Sequence, residues 1–205
     1  MTDDPALTNG TLDRATSDID WEKASRAARL MLEAVGEDPG RTGVADSWQR
    51  RIPAAMETLT EGYREDAKPT MRSFPTESDG LVVKTGIPLY SMCEHHMLPY
   101  FGKVHVAYRP DGRAIGLSKL ARYVRWQSRR LTMQEGLTRD IAEGLADELD
   151  TGLVMVEATA THLCEAMRGV ETASETTTHA TVGDPTDVDR ERFREAIRHA
   201  GEIAP

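Results

Sequence analysis

Two short clusters, far apart in the chain, limit what it can fold into more than any other feature. Ser91-Met-Cys-Glu-His-His-Met-Leu-Pro99 runs a thiol, a carboxylate and two imidazoles together, and Thr161-His-Leu-Cys-Glu165 sets the other cysteine beside a further histidine. The chain has only 2 cysteines and 6 histidines, so the gathering of His95, His96 and His162 around Cys93 and Cys164 is not a matter of composition. A fold that uses these residues must bring the clusters together, and the economical reason for doing so is a metal site.

Composition narrows the setting. A chain of 205 residues buries one good core, with room for a small appended subdomain. Two cysteines make no disulfide framework, and no apolar run approaches the roughly 18 residues of a membrane span. The start, Met1-Thr-Asp-Asp-Pro-Ala6, lacks the basic and apolar regions of a signal peptide. The expectation is a cytoplasmic protein with no membrane partner, whose thiols are free to hold metal. Asp and Glu total 34 against 25 Lys and Arg, with lysine only at Lys23, Lys68, Lys84, Lys103 and Lys119. Such a surface fits a host with high internal salt, ordinary acidity being the plainer alternative. A net charge of -9 argues against nucleic acid as a partner. The exception is local: Gly112 to Gln134 holds no acidic residue, while Arg113, Lys119, Arg122, Arg125, Arg129 and Arg130 accumulate there. That window reads as a polyanion site, with a solvated helix face or a subunit contact as competing readings.

Residues 1–18, polar and poor in large apolar side chains, read as a disordered arm. Ala24, Ala27, Ala28, Met31, Leu32 and Val35 have helical spacing, started by Asp20 and stopped at Gly36. A second helix is expected over Asp46–Leu59, kinked or delayed by Pro53, so that 19–63 forms a helical hairpin. After a loop over 64–80, Leu81–Pro88 and Lys103–Arg109 read as strands, with the first cluster on the connection between them. Ser118 can cap one helix, and Thr132-Met-Gln-Glu135 has capping-box spacing for the next. In the strand Leu153–Cys164, period two puts Val156, Ala158, Ala160, His162 and Cys164 on one face. A threonine-rich strand from about Arg168 to Thr181 and a helix over Asp187–His199 follow. The order predicts an α+β chain, the hairpin preceding an antiparallel sheet with helices packed on one face over 64–205.

Cysteine and imidazole together select a borderline-soft ion, with zinc the default. Three ligands assemble easily: Cys93 and one histidine from the first cluster, and Cys164 from the second. Three protein ligands leave a fourth position open, the arrangement in which zinc activates water. The other member of the His95-His96 pair would face the substrate with His162, two imidazoles suited to acid and base work near neutral pH. A satisfied imidazole on a sheet face is the competing reading of His162. Lys119 and Arg122 share a helix face near an N-terminus, where backbone N–H groups also attract phosphate, and Arg168 can bring a third cation to the metal. Glu135 is either the capping-box acid or a carboxylate accepting from a purine edge, with Gln134 beside it.

In order along the chain, Ser91-Met-Cys-Glu-His-His96, Gly116-Leu-Ser-Lys-Leu-Ala-Arg122, Arg129-Arg130, Gln134-Glu135 and His162-Leu-Cys-Glu-Ala-Met-Arg-Gly169 resemble the GTP cyclohydrolase I family, a likeness that runs from about Asp38 to the end. The resemblance implies a tunnelling fold, a toroidal homodecamer with active sites between subunits, and catalytic Zn2+. The implied reaction is hydrolytic opening of the guanine imidazole ring of GTP, with release of formate and rearrangement to 7,8-dihydroneopterin triphosphate, the first step of folate and pterin biosynthesis. Cys93, His96 and Cys164 match the family's zinc ligands, and His95 and His162 its acid and base. Lys119, Arg122 and Arg168 match triphosphate contacts, Ser118 a contact near ribose and triphosphate, and Gln134 with Glu135 the guanine-recognition pair. The chain departs from the usual pattern at Ser47-Trp48-Gln49-Arg50-Arg51, where Thr-Pro and then x-Arg-Val is usual, and at Gly136, where arginine is. Competing functions are a zinc module with a closed fourth ligand that recognises a phosphorylated partner, and another tunnelling-fold enzyme acting on a pterin or deazapurine.

The acidic surface generates a prediction of its own. Repulsion between acidic subunits should make assembly and activity depend on molar salt. Sedimentation across a salt series checks this; a complete, fully active assembly in dilute buffer removes the halophilic reading.

Overall fold

The computed structural model describes residues 19–203, so the arm expected over 1–18 lies outside the described residues. The chain divides into two compact units, one running to Glu57 and including Tyr63–Asp66, the other comprising Thr58–Gly62 and the chain from Ala67 onward.

In the first unit, α1 (Trp21–Ala34) starts where the sequence predicts, the Asp20 carboxylate accepting from the Lys23 N–H at 2.9 Å. It stops ahead of Gly36, which adopts a φ of 82°. The next helical stretch carries the distortion that Pro53 imposes: Ser47–Arg51 is a π turn, and only then does α2 (Ile52–Leu59) continue. Proline offers no N–H to the preceding turn, and widening that turn absorbs both the ring and the missing bond. Trp48, at the departure from the family pattern, anchors this region. Its indole N–H donates to the Pro39 carbonyl at 3.0 Å, and the Arg29 guanidinium of α1 lies 5.3 Å from its ring centre.

In the second unit, β2 (Val82–Cys93), β3 (Pro99–Tyr108), β6 (Val154–His162) and β7 (Glu175–Val182) form consecutive antiparallel neighbours. A short β5 (Leu131–Thr132) runs parallel to the end of β2, giving the order β5-β2-β3-β6-β7. A separate pair, β1 (Ser73–Pro75) with β4 (Arg113–Ile115), forms in segments that carry no clear strand signal. β2 extends past the expected end at Pro88 because a bulge resets it. Lys84 pairs with Val106 and Ile87 with Val104, so Thr85 and Gly86 both face His105, with Gly86 at a φ of 69°. The extra residue moves the core-facing positions from Val82 to Ile87 and Leu89, and that parity carries Cys93 to the core side. His105 is buried beside the bulge, its Nδ1 accepting the Gly86 N–H at 3.4 Å, which gives it a structural role.

Two helices, α3 (Leu117–Ser128) and α4 (Gln134–Leu149), cover one face, as an α+β chain requires. Leu120, Val124, Leu137, Ile141 and Leu145 are buried there with Val104, Val106, Val154, Val156 and Ala158. α6 (Asp187–Ile203) adds to this scheme. Its Phe193 packs with Ala107, Leu153 and Met155, of which Ala107 and Met155 alternate with the core-facing residues and so lie on the opposite face.

Three local expectations are corrected. Gly116, not Ser118, is the N-cap of α3, and Ser118 sits inside the first turn. The capping box before α4 does not form, because Thr132 is held in β5 with its hydroxyl bonded to those of Ser91 and Tyr100. Strand β6 ends at His162, and Cys164 falls in a single helical turn, α5 (Leu163–Ala166).

α6 is fastened by Asp189, whose buried carboxylate accepts from the Thr186 hydroxyl at 2.7 Å, the Thr186 N–H at 3.0 Å and the Arg109 guanidinium at 2.6 Å. These donors, Thr186 foremost, hold its pKa below the usual carboxylate value. A lowered folded-state pKa gives stability that is present above the unfolded value of about 3.9 and is lost as pH falls through the folded value. Asp189→Ala should therefore cost roughly 1.5–3 kcal/mol at neutral pH, the scale of hydrogen bonds to a charge, with the deficit shrinking in acid. Urea unfolding of both proteins across that pH range checks it.

Candidate metal centre

The hairpin between β2 and β3 presents the first cluster. The Cys93 N–H donates to the Leu98 carbonyl and the Met97 N–H to the Cys93 carbonyl, each at 2.9 Å, closing a tight turn. Met97 adopts a φ of 54°, uncommon for a residue with a side chain, and His95 and His96 stand exposed on the turn. The second cluster arrives on β6, where His162 pairs with Tyr100 of β3 before α5 folds Cys164 back.

Cys93, His96 and Cys164 bring donor atoms to within 4.8 Å of one another, grading from buried Cys93 to exposed His96. Two sulfurs and an imidazole nitrogen suit a borderline-soft divalent cation. Burial, with the Cys93 thiol alongside, pushes the Cys164 thiol pKa up. A cation between the sulfurs reverses that penalty, because a coordinating thiol is deprotonated. His95 stays outside the group, its Nδ1 3.9 Å from the Cys93 sulfur. Arg168 reaches the same place and donates to His96 Nε2 at 2.8 Å. A metal ion on His96 excludes that contact, since it either takes the Nε2 lone pair or, on Nδ1, leaves Nε2 protonated.

His162 is half-buried between two supports. The Tyr100 ring stacks on it at 4.5 Å and 8°, and Gln134 Oε1 lies 2.8 Å from Nε2. Burial lowers the His162 pKa, opposed by the carboxylates of Glu135 and Glu165. Glu135 is exposed in the first turn of α4 and, with no capping box formed, is available to a ligand. Gln134 is not. Expected beside Glu135 at a purine edge, it is 1% exposed and gives its amide hydrogens to the carbonyls of Ala158 and Thr176, each at 2.9 Å.

Among the described residues no hydrogen bond or ion pair joins Ser118, Lys119 or Arg122 to this group. Arg122 lines a cleft of about 340 Å³ with Arg125, Arg129, Ile87 and Tyr90. Tyr100 is the contributor that sequence reasoning missed. Its signal was available: it follows the hairpin turn directly, where the next strand must pass the first cluster.

The chain was compared with known proteins. The family profile described as GTP cyclohydrolase I matches residues 24–199. The GTP cyclohydrolase 1 of Hyperthermus butylicus is 46% identical over 166 residues, covering 81% of this chain and 84% of that one. That of a Synechococcus strain is 44% identical over 191 residues, covering 90% and 82%. Among solved structures, the archaeosine synthase QueF-Like in the apo form overlaps 54% of this chain and 100% of its own, at 18% identity and a TM-score of 0.39.

The geometry separates two adjacent histidines. His96→Ala and Cys164→Ser should lose bound metal, while His95→Ala keeps it; metal stoichiometry of the purified variants checks this. Retention in His96→Ala with loss in His95→Ala would exchange the two assignments.

Proposed function

The chain belongs to the GTP cyclohydrolase I family, and on that premise we propose that Cys93, His96 and Cys164 hold Zn2+, that His95 and His162 move protons, and that GTP is opened at its guanine imidazole ring, with release of formate and formation of 7,8-dihydroneopterin triphosphate. It is an enzyme of that type, and its α+β sheet, with a helix pair inserted between β3 and β6, is consistent with the tunnelling fold. The observation that carries the reading is the meeting of both sequence clusters in one donor set, with two further imidazoles beside it.

Zinc bound there supplies a Lewis acid able to bring the pKa of water to about 7. Carbon 8 of guanine is a poor electrophile, so opening the ring also needs a proton delivered to the ring nitrogen and others moved as formate leaves. His95 and His162 do this work, His162 with a pKa lowered by burial and therefore neutral and able to accept at neutral pH. Glu135 accepts from the N–H groups of the guanine edge, and Arg168 brings its guanidinium to the triphosphate.

Ser118, Lys119 and Arg122 serve the triphosphate in a site completed by an adjacent copy, within a homo-oligomer that we take to be the decamer. Arg122 opens onto a cleft that it shares with Arg125 and Arg129, which supports that reading. So do the sheet edges: among the described residues β7 pairs only with β6, and β2 has β5 beside it only at Met92 and Cys93. Unlike edges that meet head to tail make a ring when the rotation between copies closes. The second unit is then the catalytic domain. No described helix is long and apolar enough to cross a membrane, and the paired free thiols fit a cytoplasmic setting.

Metal-analysed protein incubated with GTP should release formate and a pterin chromophore. Zinc-loaded protein that yields neither at any salt concentration would favour a phosphate-recognising zinc module. Arg168→Ala and Lys119→Ala should each weaken GTP capture roughly ten- to a hundredfold, the loss of one charge-assisted contact of about 1.5–3 kcal/mol, with zinc content unchanged. Equal losses against guanosine would separate these cations from phosphate.

A further inference from the structure

Gln134 has a set of contacts that leaves its amide only one orientation. The amide nitrogen carries two hydrogens, and the backbone carbonyls of Ala158 and Thr176, which can only accept, take them at 2.9 Å each. Thr178 Oγ1 lies on the same side at 3.2 Å. Turning the amide over would set Oε1 against two carbonyl oxygens, so Oε1 is fixed toward His162. An amide oxygen also only accepts. The 2.8 Å contact between Oε1 and His162 Nε2 therefore requires the hydrogen to be on Nε2, which leaves the lone pair of the neutral ring on Nδ1. No hydrogen bond among the described residues takes up Nδ1.

The surroundings are built to keep this arrangement. Gln134 opens α4, Ala158 belongs to β6 and Thr176 to β7, so three elements converge on one amide. The Thr138 hydroxyl bonds the Gln134 carbonyl at 2.7 Å and the Thr178 hydroxyl at 2.6 Å, closing the network. The plane of the His162 ring is held independently by Tyr100, which is fully buried.

We propose that Gln134 is a positioning residue for the reaction: it holds His162 as the Nε2–H tautomer, so that Nδ1 is the nitrogen that exchanges a proton with the substrate. Gln134 itself does not touch the substrate. The inference rests on the reading of His162 as an acid-base group, and the tests separate the two.

The first test needs no change at Gln134. In nitrogen-15 spectra of histidine-labelled protein, His162 is assigned by the signal missing from His162→Ala. The neutral ring should show the hydrogen on Nε2; a hydrogen on Nδ1 overturns the proposal. The second test is kinetic. Gln134→Met should lower kcat by about ten- to a hundredfold, part of the usual contribution of a general acid or base, with KM for GTP within about threefold of the parent. In the His162→Ala background the same substitution should cost nothing further, because a residue acting through His162 has nothing left to position. A raised KM at unchanged kcat would mean that the amide reads guanine, and a full additional loss in the double variant would mean that it only holds the fold; either result overturns the proposal. Full activity in His162→Ala would sink the acid-base reading instead, while the spectra still decide the tautomer.

Discussion

The pairing of β3 with β6 is the interaction on which the centre depends. Its register runs without interruption from Tyr108 opposite Val154 to Tyr100 opposite His162. A slip of one residue would turn every side chain of β6 to the other face and carry His162 away from Tyr100 and Gln134. What resists the slip is far from the chemistry: Val154, Val156, Ala158 and Ala160 are all buried in the main core. Each valine contributes about 1.5–3 kcal/mol by leaving water, more than the roughly 1 kcal/mol of a typical single hydrogen bond at the site. The precision of the centre is therefore inherited from the core. Gly102 is the condition for it, since a Cβ there would stand 1.9 Å from the Thr159 carbonyl oxygen and force the two strands apart.

A second constraint acts along β2. Without the bulge at Thr85-Gly86, alternation continued from Val82 would point Leu89 outward and Cys93 away from the core side. The extra residue reverses that parity before the first cluster is reached. The hairpin turn then separates the roles of its residues, Cys93 buried at its base and His95 and His96 exposed above it. Adjacent imidazoles thereby acquire different neighbours, the Cys93 sulfur for His95 and Arg168 for His96.

The two clusters, the strand that carries His162 and the helix periods were legible because each rests on local spacing. Residue types that bind metal are few, and their clustering could be read without a fold. Features set by long-range pairing were not legible. Thr132 had the spacing of a capping box, yet β5 pairing and the hydroxyls of Ser91 and Tyr100 claimed it. Cys164 fitted the alternation of a strand, but β6 ends two residues earlier and a helical turn delivers the thiol. Gln134 sat beside an acidic residue in a motif that suggested a ligand; only the strands above it reveal that its amide is already spent on their carbonyls. Lys119 and Arg122 were legible as two cations on one helix face, whereas the cleft that Arg122 lines with Arg125, Arg129 and residues of β2 was not.

The polar groups beneath the centre show why this part of the interior is not simply apolar. Ser91, Thr132, Tyr100, Gln134 and Thr138 are all buried, and each has a partner. Burying such groups unpaired would be costly, and even when paired they add little net stability over well-packed apolar side chains. What they add is direction. An apolar residue at 134 could fill the same space, but it could not distinguish one nitrogen of His162 from the other, and a phenylalanine at 100 would stack on the ring without tying it to β5. A half-satisfied network would be worse than none, because at low local dielectric each orphaned group weakens its neighbours. The network is complete where it meets His162, and its one asymmetric element, an amide with a donor end and an acceptor end, is the element that touches the ring.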